Sequence, residues 1–85
     1  MDNLNNKTII ITGANGLIGE SLVSNLINKD VNIIAIDKDF ENEKKADNFR
    51  KKYSYENILY YPTDILDEKE LKKSINEGFK KFGSI

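Results

Sequence analysis

The chain has 85 residues, of which 39% are apolar and 32% are charged. This length allows one small domain with a modest core, and the composition suits a globular protein with a highly charged exterior. With 13 basic and 14 acidic residues, the net charge is −1, so the basic surface typical of a nucleic-acid-binding domain is missing and we expect no nucleic-acid partner.

Missing residue types and segments exclude further classes. The chain has no cysteine and no histidine, which excludes disulfides and zinc fingers and removes the most common general base. We therefore expect no metal site. Residues 1–7, MDNLNNK, lack the basic and apolar regions of a signal peptide, and no apolar run approaches the length of a membrane span. We expect a cytoplasmic protein with no membrane partner.

The first half of the chain alternates between strand and helix patterns. Residues 8–12 are β-branched throughout and predict a strand buried on both faces. Apolar residues then recur near helical spacing, which predicts a helix over residues 17–29. A second buried strand is predicted over residues 31–37, and a carboxylate ends it.

The second half repeats this alternation. A helix over residues 40–53, with Asp39 as N-cap, is expected to cover one edge of the sheet because its apolar stripe is thin. That stripe consists of Ala46, Phe49 and Tyr53. A third strand is predicted over residues 57–61, and Pro62 ends it by removing a hydrogen-bond donor.

The third helix is the best specified. Asp67 and Glu70 resemble a capping box, and Gly83 is expected to end the helix. One apolar stripe runs along it: Leu71, Ile75, Phe79 and Phe82. The order β-α-β-α-β-α predicts a parallel sheet with right-handed crossovers, which is half of a doubly wound Rossmann-type fold.

Three glycines, Gly13, Gly16 and Gly19, lie between the first strand and the first helix. In a parallel sheet this junction is the carboxyl edge, where ligands bind, and the helix that follows offers unpaired backbone N–H groups to an anion. We expect Gly13 to turn the chain, Gly16 to let the backbone approach a pyrophosphate, and Gly19 to let the helix pack closely on the strands. A tight turn that binds no ligand is the alternative. The spacing G-x-x-G-x-x-G departs from the usual G-x-G-x-x-G fingerprint, and the sequence of a P-loop is absent.

An acid in the right place favours a dinucleotide. Asp37 lies 18 positions after Gly19, and dinucleotide-binding domains place an acid about 20 residues on, where it accepts hydrogen bonds from the adenosine ribose. A carboxylate there repels the extra phosphate of NADP, so the sequence favours NAD as the cofactor. Lys38 could neutralise that repulsion, although an exposed lysine without such a role is the alternative.

Two segments resemble the short-chain dehydrogenase/reductase family. Residues 12–19, TGANGLIG, are similar to its glycine-rich cofactor motif, and residues 64–67, DILD, are similar to its second cofactor motif. The resemblance extends over residues 7–85. The spacing of the glycines is typical of the extended group, which includes sugar-nucleotide epimerases and dehydratases, whereas the long third helix and its ending favour the classical group.

The resemblance also implies roles for individual residues. The pyrophosphate would be lined by Gly13, Asn15, Ile18 and their neighbours Gly16, Leu17 and Gly19. Asp37 would hold the adenosine ribose, while Asp64 and the backbone of Ile65 would hold the adenine edge. For Asp64, hydrogen bonding to local N–H groups after Pro62 is the alternative.

The family's catalytic Tyr-x-x-x-Lys pair does not occur in this chain, since no tyrosine is followed four residues later by lysine. We therefore expect no catalytic residue here and no activity of the chain alone. The resemblance implies a parent enzyme that transfers a hydride between a nicotinamide and an alcohol or carbonyl substrate. The alternatives are a fragment of an extended-type sugar-nucleotide epimerase or dehydratase, a non-catalytic nucleotide-binding module, and a purely structural domain.

Residues 1–85 are thus predicted to be a single, apparently truncated N-terminal portion of a dinucleotide-binding domain. The chain stops where the family's fourth strand would begin, beside the first strand. An exposed apolar edge strand invites pairing with another chain, so we expect self-association through the edge of the first strand.

Overall fold

The computed structural model describes residues 7–83, a three-layer α/β arrangement. Three parallel strands lie in the order β1-β2-β3: β1 (Thr8–Thr12), β2 (Asn32–Ile36) and β3 (Ile58–Tyr61). The connecting elements are α1 (Leu17–Leu26), a 3₁₀ helix (Lys38–Glu41), α2 (Glu43–Lys52) and α3 (Glu68–Phe82). The predicted Rossmann-type half is confirmed. Residues 1–6, which belong to the segment compared with a signal peptide, lie outside the described residues. Ser84 and Ile85 lie outside them as well.

Helices cover both faces of the sheet, and β2 is its fully buried centre. Because successive side chains of a strand point to opposite faces, Ile33 and Ala35 pack beneath α1 and α2, whereas Ile34 and Ile36 pack beneath α3. All four side chains are completely buried. The apolar run of β2 therefore reflects burial on two faces, as predicted.

The same prediction was wrong for β1. Ile11 is buried, but Ile10 is 37% exposed and Thr12 is exposed. Within residues 7–83, β1 pairs with β2 alone, so it is an edge strand. An apolar run indicates that a strand could be buried on both faces. Whether it is buried depends on the strands and helices that surround it in the fold.

Several element boundaries differ from the predictions. Helix α1 ends at Leu26, three residues early, and a turn with Asp30 at φ 55 leads into β2. Strand β2 is one residue shorter at each end than predicted, and β3 begins one residue later. Asp39 does not cap α2. The cap is Asn42, whose side chain accepts a hydrogen bond from the Lys45 N–H (3.1 Å), because residues 38–41 form the 3₁₀ helix first.

The predicted position of α2 at one edge of the sheet agrees with its packing. The ring of Phe49 contacts Tyr60 of β3, the outer strand, edge to face, with ring centroids 5.4 Å apart. Phe49 and Ala46 are the buried residues of α2. The thin stripe is sufficient because α2 shares this face of the sheet with α1.

The ends of α3 agree with prediction, but its buried face does not follow the apolar stripe. Asp67 accepts a hydrogen bond from the Glu70 N–H (3.2 Å), and Gly83 adopts a left-handed conformation with φ 68. The buried residues of α3 are Ser74 and Gly78, and the apolar stripe is only partly buried beside them. A Cβ atom at Gly78 would lie 2.5 Å from Cδ1 of Ile34, so the glycine brings the helix close to the sheet.

Candidate functional site

A glycine turn joins β1 to α1 at the carboxyl edge of the sheet. Gly13 adopts φ +65, a left-handed conformation that favours glycine, and the Gly16 N–H donates to the Gly13 carbonyl (3.0 Å). The sharp turn expected at Gly13 is therefore present. The Ala14 N–H donates to the carbonyl of Ile36 (3.2 Å), which fastens the turn to the end of β2.

Gly19 allows the first turn of α1 to lie directly on this backbone. A Cβ atom there would overlap the carbonyl oxygen of Gly13 and would lie 2.7 Å from the Cα atom of Ala14. The expected close packing is present, although the nearest neighbour is the glycine turn rather than a strand. Gly19 consequently fixes the direction in which α1 leaves the sheet.

The N-terminus of α1 is open at Gly16. Gly16 is the N-cap and provides no side-chain acceptor, and a Cβ atom there would meet only the Gly13 carbonyl, at 3.3 Å. The first N–H groups of a helix have no partner within the helix, so they are available to a ligand. A groove of about 460 Å³ borders these donors. It is lined by Thr12, Gly13, Gly16, Leu17, Ile18, Gly19 and Leu22.

Two apolar side chains of this groove are unusually exposed. Leu17 is 90% exposed and Ile18 is 80% exposed, although both belong to the first turn of α1. The groove therefore places backbone donors beside apolar surface. That combination suits a ligand with an anionic group flanked by flat rings.

Asp37 is held against the glycine turn. One carboxylate oxygen, Oδ2, accepts from the Asn15 N–H (2.9 Å), and Oδ1 accepts from the Asp39 N–H (2.8 Å). The structure thus brings Asp37 and Asn15 together across 22 positions of sequence. Asp37 also has a structural role, since it caps the 3₁₀ helix and fastens the turn.

Asp39 also belongs to this cluster, and sequence reasoning missed it. Its Oδ2 accepts from Nδ2 of Asn15 (3.1 Å), while its Oδ1 lies 3.6 Å from Nζ of Lys45. Lys38 is exposed at the start of the 3₁₀ helix. The signal in the sequence was a second acid two positions after Asp37, together with an amide side chain, Asn15, in the glycine turn.

Asp64 and Ile65 follow β3 at the same edge of the sheet. Asp64 is half-buried, and its Oδ1 accepts from the Leu66 N–H (2.9 Å), while Ile65 is exposed. The local hydrogen bond considered as the alternative for Asp64 is therefore present. Because β2 and β3 are parallel, the ends of both strands reach this edge, where the Asp37 N–H donates to the Tyr61 carbonyl (3.2 Å).

The hydroxyls of Tyr53, Tyr55 and Tyr60 take part in packing on the other side of the sheet from α3. The Tyr53 hydroxyl donates to Oε1 of Glu20 (3.1 Å), and those of Tyr55 and Tyr60 donate to backbone carbonyls, each at 3.0 Å. Burial, together with the hydrogen bond to Glu20 and its negative charge, raises the pKa of Tyr53. Burial also raises the pKa of Tyr60, against an opposing effect of Arg50. These tyrosines link elements of the fold and lie outside the groove.

Within residues 7–83, neither a membrane-spanning helix nor a metal-binding cluster is found. No helix in that range combines the length and the apolar character needed to cross a membrane. The same residues contain no group of three or more acidic side chains placed to hold a metal ion.

A glycine turn at the carboxyl edge of a parallel sheet, an open helix N-terminus and an acid after the second strand together define a nucleotide-binding α/β domain. The family model described as short chain dehydrogenase matches residues 7–85. The chain belongs to the short-chain dehydrogenase/reductase family.

Individual relatives share this fold at low sequence identity. The chain is 24% identical over 84 residues to an 11-beta-hydroxysteroid dehydrogenase B of Sesamum indicum, covering 99% of this chain and 23% of that one. A short-chain dehydrogenase/reductase of Brucella melitensis, described as a glucose/ribitol dehydrogenase, superposes with a TM-score of 0.82 and 24% identity, covering 98% of this chain and 34% of that one. An NAD+-bound xylitol dehydrogenase has a TM-score of 0.76 and 27% identity, covering 99% and 32% respectively. The chain thus spans about a third or less of these proteins.

Proposed function

We propose that this chain is the NAD-binding portion of a short-chain oxidoreductase. The observation that carries the proposal is the contact between Asp37 and the glycine turn, in which the Asn15 N–H donates to Asp37 at 2.9 Å. It joins the element that would hold a pyrophosphate to the carboxylate that would hold a ribose. Fastening the turn and capping the 3₁₀ helix occupy only one lone pair of each Asp37 oxygen, so the same carboxylate can still accept from a ribose.

The residues fit the parts of the cofactor. Pyrophosphate oxygens would accept from the open first turn of α1, with Gly16 leaving room for their approach. The adenosine ribose would donate to the free lone pairs of the Asp37 carboxylate, whose two oxygens each accept one backbone hydrogen bond already. Asp64 and the backbone of Ile65 would contact the adenine.

The apolar side of the groove would contact the remaining half of the dinucleotide. Leu17 and Ile18 lie beside the backbone donors with their side chains exposed, as expected for groups that pack against a flat ring. The cofactor supplies the hydride chemistry when it is bound, and these residues bind and orient it. The xylitol dehydrogenase neighbour contains NAD+, which supports NAD as the cofactor here.

Asp37 also supports NAD over NADP. A fixed carboxylate at the ribose repels a 2′-phosphate, and exposed Lys38 is screened by water. The substrate of the whole protein would be an alcohol or carbonyl compound, as in the relatives named above. Its acid–base residues would lie in segments that this chain does not include.

The test is equilibrium binding of NAD and NADP to the native polypeptide, at the length found from its intact mass in its own cells. We expect saturable binding of NAD that is at least tenfold tighter than binding of NADP. Asp37→Asn should weaken NAD binding about tenfold, because a neutral amide accepts less strongly from the ribose. Asp47→Asn, at an exposed carboxylate of α2, is the matched control.

Unfolding curves of both variants separate lost binding from lost folding, since Asp37 also fastens the turn. A folded native polypeptide that binds neither dinucleotide would contradict the proposed function. Binding of NAD that is unchanged in Asp37→Asn would contradict the role of this carboxylate.

We further propose a cytoplasmic location, supported by the highly charged composition, and self-association through the outer edge of β1. The second proposal is supported by the exposed Ile10 and by the pairing of β1 with β2 alone among residues 7–83. An exposed apolar edge strand favours pairing with a second strand.

A further inference from the structure

Three hydrogen bonds form a closed ring among Asn15, Asp37 and Asp39. The Asn15 N–H donates to Asp37 (2.9 Å), the Asp39 N–H donates to Asp37 (2.8 Å), and Nδ2 of Asn15 donates to Asp39 (3.1 Å). All three are partly buried. The ring joins the glycine turn after β1 to the chain that follows β2.

We propose that Asp39 is a positioning residue of the cofactor site, which holds the glycine turn through the side chain of Asn15. The proposal rests on the NAD-binding function inferred above. Asn15 immediately precedes Gly16, the N-cap of α1, so the orientation of its peptide groups sets the direction of the donors that would meet the pyrophosphate. With both its backbone and its side chain fastened, Asn15 cannot rotate without breaking the ring.

The ion pair with Lys45 accounts less well for the position of the Asp39 side chain than the hydrogen bond with Asn15 does. Lys45 lies 3.6 Å away, and the side chains of Lys45 and Asp39 are 54% and 42% exposed, so this ion pair is screened by water and contributes little. The hydrogen bond to Asn15 is shorter and less exposed. A capping role at α2 is also excluded, because Asn42 occupies that position.

The carboxylate of Asp39 would also affect the selectivity between NAD and NADP. It adds a negative charge beside Asp37, so a 2′-phosphate on the ribose would meet two carboxylates rather than one. Lys38 is exposed at the start of the 3₁₀ helix, and Lys45 is paired with Asp39 itself. Removing the charge of Asp39 while keeping an oxygen acceptor should therefore leave NAD binding intact and improve NADP binding.

The experiment compares four variants of the native polypeptide by calorimetric titration with NAD and with NADP. Asp39→Ala and Asn15→Ala each remove the side-chain hydrogen bond, and we expect each to weaken NAD binding roughly tenfold. The double variant should be no weaker than either single variant, because both changes break the same bond. Asp39→Asn keeps an acceptor and should stay within about twofold of the parent for NAD, while NADP binding tightens severalfold.

Lys45→Gln is the control, since it removes the ion pair and leaves the ring intact. Urea unfolding shows which variants are folded, and Asp39→Asn with Asn15→Ala still tests the proposal if Asp39→Ala does not fold. NAD affinity that is unchanged in Asn15→Ala and Asp39→Ala, or a double variant about a hundredfold weaker than the parent, would overturn this inference alone. A folded parent that binds no NAD would overturn the proposed function and this inference with it.

Discussion

A methyl group would meet different surroundings at Gly16 and Gly19, although these residues lie only three positions apart. At Gly19 it would overlap the backbone of the glycine turn, which cannot move without shifting β1 or α1. At Gly16 it would approach one carbonyl oxygen, at 3.3 Å. The glycines of the motif are therefore needed for different reasons, and only Gly19 is needed for packing.

We predict that Gly19→Ala lowers the free energy of unfolding by about 1–3 kcal/mol, the usual cost of overpacking. This loss should appear even though alanine favours a helix by up to about 1 kcal/mol over glycine. Urea denaturation measures the change, with Gly16→Ala as the matched control, for which we expect a loss below about 1 kcal/mol. Equal stability of the two variants would contradict the packing seen at Gly19.

Tyr53 links α2 to α1 through its hydrogen bond to Glu20, and the raised pKa of Tyr53 makes this link sensitive to pH. Burial comes first among the causes of the rise, followed by the hydrogen bond and the charge of Glu20. The ordinary pKa of tyrosine is about 10. The folded chain therefore holds this proton more tightly than the unfolded chain does. The resulting stability is fully present below pH 10 and is lost as the pH rises through the folded pKa.

We predict that stability falls on raising the pH above about 10, and that Tyr53→Phe makes this fall less steep because the titrating hydroxyl is gone. Urea midpoints measured between about pH 8 and pH 11 provide the comparison. Glu41→Gln, at an exposed carboxylate of the 3₁₀ helix, is the control and should keep the parental slope. An unchanged slope in Tyr53→Phe would show that other groups control the alkaline transition.

At the scale of elements, the smallest residues of α3 set how closely this helix approaches the sheet. Gly78 and Ser74 face the sheet, and Ser74 Oγ lies 2.6 Å from Oγ1 of Thr63 in a buried hydrogen bond. The larger apolar residues flank this line and close its sides. The hydrophobic period of α3 correctly predicted a helix. The residue of closest approach to the sheet, Gly78, could not be predicted from that period, because it depends on Ile34 of β2.

We predict that Gly78→Ala destabilises the fold by about 1–3 kcal/mol, because its Cβ would lie 2.5 Å from Cδ1 and 2.8 Å from Cγ1 of Ile34. Ile34→Val removes Cδ1 and should cost about 0.5–1.5 kcal/mol alone. In combination the two changes should cost less than their sum, since the valine relieves part of the clash. A double-mutant cycle by urea denaturation measures this coupling, and strict additivity would contradict the contact.

At the scale of the whole molecule, we expect the outer edge of β1 to determine how the 85-residue chain associates. We predict that its mean mass in sedimentation rises with protein concentration, and that Ile10→Lys reduces this rise because a charge on an edge strand opposes pairing. Leu66→Lys, which adds the same charge at an exposed residue after β3, is the control and should associate like the parent. A parent that stays monomeric at every concentration would contradict the proposal.

Much of the fold could be predicted from local patterns. The bounds of β1, the start of α1 at Leu17, the N-cap at Asp67 and the left-handed Gly83 all follow from residues near in sequence. Side-chain chemistry near an element determines its type and often its ends. The start of α2 was misplaced because Asp39 is a good cap by type, yet its side chain bonds to Asn15, 24 positions away.

The sequence by itself determined the order of elements, the glycine turn and the acid that follows the second strand. Stiff β-branched runs, helical periodicity and glycine conformations act over a few residues, so they can be recognised without the fold. Tertiary structure alone decided how far the side chains of β1 are exposed and that Asn15, Asp37 and Asp39 meet. The parallel register that sets Thr12 beside Ile36 brings the ends of β1 and β2 together, and no local pattern records which distant side chains become neighbours there.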